Sequence, residues 1–431
     1  MRLRSFLAIL LIFLAISCTS KPTITPLHTP KVNIDSPSVL PSPTSEPLKD
    51  KWSLWINGTQ LRGANIYQRQ VMPDLDGEKF MGSDVYGPPY VQEDFDRLSV
   101  LGANYVNIQL AGLYTIEPPY EVNDAAVANL DRLLAMIGRA DMFAVITFHS
   151  GPGRSVFSIR RSGAGTSFDK DYVVENVWTD PDAQAAWAEM WRFTAERYKD
   201  NPFVVGYDLM CEPNSNALVN IWSPEDFQVD YGGSGYDWNS WMPNIISAIR
   251  EVDPQTPILV SPNSYGNIHW LSYLKIVDAP KIVYAFHQYA PQQYTHQKTS
   301  DPLTYPGILD TDNNGILDVF DRTWLEDLLA IGGDFMASNN VPVVVNEYGV
   351  MRWAPGADVF LADETDIFEQ YGWNYAVWMW YPSWETFVKI EKTFNFRLGP
   401  VIESNTDTQN SMFTNIVNFW QRNTIRPSDM P

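Results

Sequence analysis

The chain has 431 residues, 45% of them hydrophobic and 13% aromatic, enough apolar surface to bury a large core and too much for a chain disordered over its bulk. Lys and Arg number 30 against 51 Asp and Glu, a formal charge of −21, which repels nucleic-acid phosphates and excludes a nucleic-acid partner. The 16 Trp and 21 Tyr exceed what apolar volume alone requires, because each carries a polar handle that needs a partner.

In chain order, residues 1–17 read as an export signal: Arg2 and Arg4, an unbroken apolar run from Phe6 to Ile16, then Ser17 before Cys18. That run is too short to cross a bilayer as a helix, which takes about 20 residues. Leu14-Ala15-Ile16-Ser17-Cys18 resembles the bacterial lipobox, which implies that Cys18 is lipidated and becomes the first residue of an exported protein tethered to the cell envelope. The only other cysteine is Cys211, so a lipidated Cys18 leaves no internal disulfide. From 18 to 50 the chain is a spacer. Residues 19–50 hold seven Pro, five Ser and five Thr and no Phe, Tyr or Trp, so they have nothing with which to build a core.

A single domain is expected over 51–431. Short apolar runs at Leu61–Tyr67, Tyr105–Leu110, Phe143–Phe148, Val204–Met210, Ile258–Ser261, Ile282–Phe286, Val343–Val345 and Tyr375–Trp380 read as eight strands. Amphipathic patterns over Val91–Leu101, Ala125–Ile137, Asp182–Tyr198, Trp238–Glu251, Trp324–Ala337, Val359–Tyr371 and Ser411–Arg422 read as helices. Eight strands alternating with helices predict an α/β fold, a closed (β/α)8 TIM barrel with extended loops at its C-terminal face. An open doubly wound sheet is the alternative, but no Gly-x-Gly-x-x-Gly turn follows the first strand.

A barrel of this kind carries its reactive groups at the C-terminal strand ends. There the sequence places His149, Glu212, His287, Tyr289, Glu347, Trp378 and Trp380. Two carboxylates across a sugar-sized gap are what cleavage of a glycosidic bond requires, and Glu212 and Glu347 supply such a pair. No zinc-spaced Cys/His cluster and no Gly-x-Ser-x-Gly elbow is present.

The segments Tyr198-Lys199-Asp200-Asn201-Pro202, Gly206-Tyr207-Asp208-Leu209-Met210-Cys211-Glu212-Pro213-Asn214, His287-Gln288-Tyr289 and Pro342-Val343-Val344-Val345-Asn346-Glu347-Tyr348-Gly349 resemble, in that order, glycoside hydrolase family 5, the cellulase-like family of barrel glycosidases. The resemblance runs over about 51–425. It implies a retaining hydrolase of β-linked glucan or mannan, with Glu212 as general acid/base and Glu347 as nucleophile. It further implies that Tyr289 hydrogen-bonds the nucleophile, that His149 and His287 line the cleavage subsite and that Trp378 forms its floor. Burial and a negative neighbour should raise the pKa of Glu212 relative to that of Glu347.

Two departures fall on the expected substrate-binding set. Asn107 stands where the family usually has an arginine, with Arg62 or Arg154 as possible replacements for the lost charge, and Cys211 stands where it usually has an asparagine. They leave open a non-catalytic glycan-binding lipoprotein on a degenerate barrel. Trp178, Trp222, Trp238, Trp241, Trp270, Trp353 and Trp384 fall in loops or at helix edges, where an apolar ring face can stack on a pyranose.

Residues 310–321 match the twelve-residue calcium loop, with Asp310, Asp312, Asn314, the Ile316 carbonyl, Asp318 and Asp321 at the ligand positions and Gly315 at position 6. The expectation is a structural calcium ion, or else a turn rich in Asx bonds, and no cofactor for catalysis. The expected partners are a carbohydrate substrate and a membrane reached through the lipid only, on a monomer.

Overall fold

The computed structural model describes residues 50–160, 172–300 and 302–430. The export signal, Cys18 and the spacer up to residue 49 lie outside the described residues.

Eight parallel strands close a barrel: β1 (Arg62–Tyr67), β2 (Tyr105–Ala111), β3 (Phe143–Ser150), β4 (Val204–Asp208), β5 (Ile258–Val260), β6 (Ile282–Gln288), β7 (Val343–Tyr348) and β8 (Asn374–Val377). Each pairs with the strands before and after it, and β1 pairs with β8 in the register Arg62↔Tyr375 to close the ring. The outer helices are α1 (Gln92–Val100), α2 (Asp124–Arg139), α3 (Pro181–Tyr198), α4 (Trp238–Val252), α5 (Arg322–Asn339), α6 (Ala357–Tyr371) and α7 (Ser411–Trp420). All eight expected strands and all seven expected helices form, with ends shifted by a few residues. After β5 the crossover is a 3-10 turn at Ile268–Tyr273 instead of a long helix.

Alternation along the strands divides the core in two. One set of side chains, Tyr105, Phe143, Val145, Val205, Leu259, Val283, Ala285, Val344 and Ala376, packs with Leu54, Trp55 and Leu61 from the segment leading into β1. This is the apolar floor inside the barrel, and the Trp55 indole N–H is donated to the Val205 carbonyl at 3.0 Å. The intervening set, including Val106, Ile108, Ala144, Ile146, Phe148 and Val345, packs outward against the helices. Helix starts are set by side chains that accept orphan N–H groups: Asn123 for α2, Asp180 for α3, Asp237 for α4, Asp321 for α5 and Asn410 for α7.

The tryptophans differ from the sequence expectation. Trp178, Trp238, Trp241 and Trp270 are buried, the first three packed edge to face with centroids 4.6–6.4 Å apart, so they serve the core and are withdrawn as sugar platforms. Trp380 is also buried and donates to the Asp94 carbonyl. The surplus of indoles is thus partly explained by N–H groups that tie strand ends and loops to helices, as Trp187 to Pro152 and Trp191 to Leu209, each at 2.8 Å. Trp222 remains 49% exposed, parallel to Tyr265, and Trp384 is also exposed.

The segment around 310–321 is not part of a helix-loop-helix. Gly307–Leu309 and Asp318–Phe320 pair as an antiparallel hairpin whose tip is the acidic loop. The Asp310 carboxylate accepts the N–H groups of Asn314 and Gly315, Asp312 accepts that of Asn314, and Asn314 accepts that of Ile316. Asp318 accepts from Thr311. Asp321 caps α5 through the N–H groups of Thr323 and Trp324.

Candidate active site

Above the apolar floor the inward positions turn polar: Asn65 on β1, Asn107 and Gln109 on β2, Thr147 and His149 on β3, Asp208 on β4, His287 on β6, and Asn346 and Glu347 on β7, all buried. Period-2 alternation allows only one of two neighbours to face inward, yet Asn346 and Glu347 both reach interior groups. The strand achieves this with a register shift between Val345 and Glu347 against β6, an irregularity that re-aims side chains at a barrel rim.

Glu347 is the hub. Tyr289 donates its hydroxyl to Oε1 at 2.7 Å, and Gln109 donates Nε2–H to Oε2 at 2.6 Å. His287 Nδ1 lies 3.0 Å from Glu212 Oε1 and 3.6 Å from Glu347 Oε2, so one imidazole nitrogen lies against both carboxylates. Glu212 sits just beyond β4 in the left-handed region, φ 52°. The buried Arg154 fixes the backbone there, donating to the carbonyls of His149 and Cys211, each at 2.9 Å, and of Glu212 at 2.8 Å.

The Glu347 side chain is 7% exposed against 13% for Glu212. Burial raises the Glu347 carboxyl above its usual range, opposed by the charge of His287 and supported by that of Glu212. Desolvation therefore falls on the expected nucleophile. His287 is itself buried, which alone would lower its pKa, but the charges of Glu347 and Glu212 and the Glu212 hydrogen bond outweigh burial and hold it at about 9. Asp208, fully buried beneath, is pushed up to about 7 by desolvation.

These shifts give a pH prediction. A histidine at 6.5 in the unfolded chain and about 9 when folded contributes stability that is complete below pH 6.5 and is lost as pH rises through 9, up to roughly 3 kcal/mol. Tm of the native protein should fall across pH 6.5–9.5, and Tm of His287→Gln should fall less steeply over that range. Identical slopes by scanning calorimetry would refute the charged state of His287.

The structure also places the other expected residues. His149 is buried and its Nε2 is hydrogen-bonded to Gln109 Oε1. Half-buried Trp378 meets Tyr67 edge to face at 5.9 Å, and Tyr67 meets His149 at 5.4 Å, a continuous aromatic wall. Asn107 is corrected: it is fully buried, donating to Asn65 Oδ1 and the Asn346 carbonyl and accepting from Thr147, so it braces the strands and offers nothing to a sugar. Cys211 is buried with its thiol toward Gln109 at 3.5 Å, and burial pushes that thiol well above its ordinary pKa. Neither arginine replaces the missing cation. Arg62 pairs with Glu369, and Arg154 serves carbonyls. Asn65, Gln109, Asp208 and Asn346 were not anticipated as site residues. The signal for Gln109 was its position two beyond Asn107, on the same face of β2.

Two carboxylates at the C-terminal mouth of a parallel barrel, bridged by one histidine and braced by a tyrosine and an amide, define a barrel of the glycosidase type. A sequence model of the cellulases, glycosyl hydrolase family 5, matches residues 68–384, and the chain belongs to that family. An endoglucanase of Paenibacillus polymyxa is 25% identical over 300 residues, 66% of this chain and 62% of that protein. Endoglucanase C of Acetivibrio thermocellus is 26% identical over 178 residues, 41% of this chain and 43% of that protein. The chain thus spans less than two thirds of the length of these relatives. The fold is also that of the endoglucanase Cel5A of Thermotoga maritima, at a TM-score of 0.58 with 17% identity, covering 85% of this chain and 99% of that one. Structures of that protein hold cellobiose and mannotriose.

Proposed function

We propose that the protein hydrolyses β-linked glucan or mannan with retention of anomeric configuration, Glu212 acting as acid/base and Glu347 as nucleophile. The observation that carries this is His287 Nδ1 lying against both carboxylates. The nearest Glu212 and Glu347 oxygens can be no farther apart than those two distances laid end to end. That limit lies only at the foot of the inverting range of about 6.5–9.5 Å, which must admit a water, and any bend at Nδ1 brings the pair toward the retaining spacing of about 5–5.5 Å. The route is attack by Glu347 on the anomeric carbon while Glu212 protonates the departing oxygen. Water, deprotonated by Glu212, then releases the sugar from Glu347.

The relatives named endoglucanase put β-glucan first in a substrate panel, and the mannotriose of the Thermotoga protein puts mannan second. Hydrolysis of at least one of β-glucan, mannan or xylan, with Glu212→Ala as control, should yield product of unchanged anomeric form by NMR. No turnover on any of them would sink the enzymatic reading. We also propose a lipid tether at Cys18; Cys18→Ser should release this activity from the envelope into the medium, and unchanged localisation would refute the tether.

For the hairpin tip we propose a structural calcium ion at Asp310, Asp312, Asn314, the Ile316 carbonyl and Asp318, whose oxygens suit that hard cation. Asp321 accepts both α5 N–H groups on Oδ1, which leaves Oδ2 to complete the expected ligand set. Calcium against chelator should raise Tm, because a ligand bound only to the folded state stabilises it; equal Tm values would exclude the ion.

A further inference from the structure

We propose that Gln109 is the positioning residue of the nucleophile, aligning Glu347 with a neutral amide where the family resemblance places an arginine two residues earlier on the strand. The inference rests on Glu347 being the nucleophile. It is carried by the orientation of one side chain, which the surrounding chemistry fixes without ambiguity. An ionised carboxylate only accepts hydrogen bonds, so the Gln109 atom 2.6 Å from Glu347 Oε2 is the nitrogen. Its second hydrogen goes to Asn65 Oδ1, also at 2.6 Å. The other end of the amide is therefore the oxygen, which accepts from His149 Nε2 and from the Cys211 thiol at 3.5 Å. His149 must then carry its proton on Nε2.

Every hydrogen-bonding valence of Gln109 is engaged, and each partner is buried. Asn65 is held in turn: it accepts from Asn107 at 2.8 Å and donates to the carbonyls of Asn346 and Ala376 at 3.0 and 2.9 Å. The amide thus hangs from a frame spanning β1, β2, β3, β7 and the end of β8. A frame fixed at both ends of the amide loses little freedom when the nucleophile moves onto the sugar.

The chemical consequence follows from replacing a cation by a dipole. A guanidinium beside Glu347 would favour its ionised form strongly and weaken it as a base and nucleophile. An amide N–H orients the same oxygen and draws away less charge. Among the described residues the one cationic side chain within ion-pair distance of Glu347 is then His287, which Glu212 shares. The other ionisable groups facing this cluster are Tyr289 on Glu347 Oε1, His149 on the Gln109 oxygen, Asp208 behind Asn346, Cys211, and Arg154 beside Cys211 and Glu212.

The experiment compares native protein with Gln109→Ala, Gln109→Glu and Gln109→Met, each first shown to fold by circular dichroism and Tm. The readouts are the rate at which a 2-deoxy-2-fluoro glycoside labels Glu347 and the pH profile of kcat/KM. Gln109→Ala and Gln109→Met should label at the same glutamate on the order of 10- to 100-fold more slowly, the scale of one hydrogen bond to a charged group. Gln109→Glu should be active only on the acid side, where the introduced carboxyl is protonated and can still donate, and should decline at pH values where the native profile is flat. Native labelling rates and an unshifted profile in folded variants would overturn the proposal, since a packing role predicts both. Native protein labelled at a residue other than Glu347 would overturn the nucleophile assignment itself, a distinguishable result.

Discussion

Glu347→Gln is expected to lose more than about 10⁴-fold in kcat/KM, the scale seen when a nucleophile is removed, while Tm stays equal to or above that of the native protein. The loss follows from the double displacement: without a carboxylate at this point no glycosyl-enzyme forms, and nothing in reach takes its place. Tyr289, Gln109 and His287 surround the position with donors, and none of them offers a nucleophilic oxyanion at neutral pH. The stability half rests on a different quantity. Burial raises the Glu347 carboxyl above its ordinary range, so ionising it costs more in the folded protein than in the unfolded chain, and stability is lost as pH rises past the normal carboxylate pKa. Exchanging it for an amide of the same shape removes that cost, while the amide oxygen can still accept from Tyr289 or Gln109. Activity and stability then move in opposite directions, as expected where function is bought with local instability. A variant that is both inactive and several degrees less stable would instead assign Glu347 a structural role. The measurement is kcat/KM on the best substrate of the panel beside Tm at pH 7.

The barrel was legible because its strands are short apolar runs between well-capped helices, and local pattern and global topology agree. The carboxylate pair was legible for a related reason, since Glu212 and Glu347 each follow, after one intervening residue, an apolar run that predicts a strand. What was missed lies within the strands. Asn65 and Asp208 are single polar residues in apolar surroundings and Asn346 lies between an apolar run and Glu347, and sequence does not tell whether such a residue faces the barrel interior or a helix. Alternation would have shown that Asn107 and Gln109 share a face, but not that the lower one is sealed off and the upper one reaches Glu347. The bulge at Asn346 also breaks the period on which such counting depends. The tryptophans failed in another way. Trp238 and Trp241 start a helix and Trp178 lies in a loop, positions that suggest exposure, yet the long loops fold back and bury all three against one another. Exposure of a large ring is decided by tertiary packing, which composition does not report.

Glu212→Ala is expected to show a loss that depends on the leaving group. On a polysaccharide, whose departing alkoxide must be protonated, kcat/KM should fall about 10²- to 10⁴-fold, the usual share of general acid/base catalysis. On a dinitrophenyl glycoside, whose phenolate leaves without a proton, the first step should be nearly intact. Glu347 keeps its tyrosine and glutamine donors, which do not pass through Glu212. The second step still needs a base to activate water, so the glycosyl-enzyme should accumulate and give a burst of phenolate followed by a slow phase. Azide, which needs no deprotonation, should restore turnover and yield a glycosyl azide of retained configuration. The backbone should tolerate the change, because Ala is no more strained than Glu at φ 52°, and Arg154 holds that turn through main-chain carbonyls that the substitution leaves in place. The expected Tm change is therefore small, and its sign tells which contact dominates: removing Glu212 takes away one of three negative neighbours of His287, which should lower that imidazole's pKa. An equal loss on both substrates without rescue by azide would mean that Glu212 is not the acid/base, and that the carboxylate beside His287 serves only to hold the imidazole against Glu347.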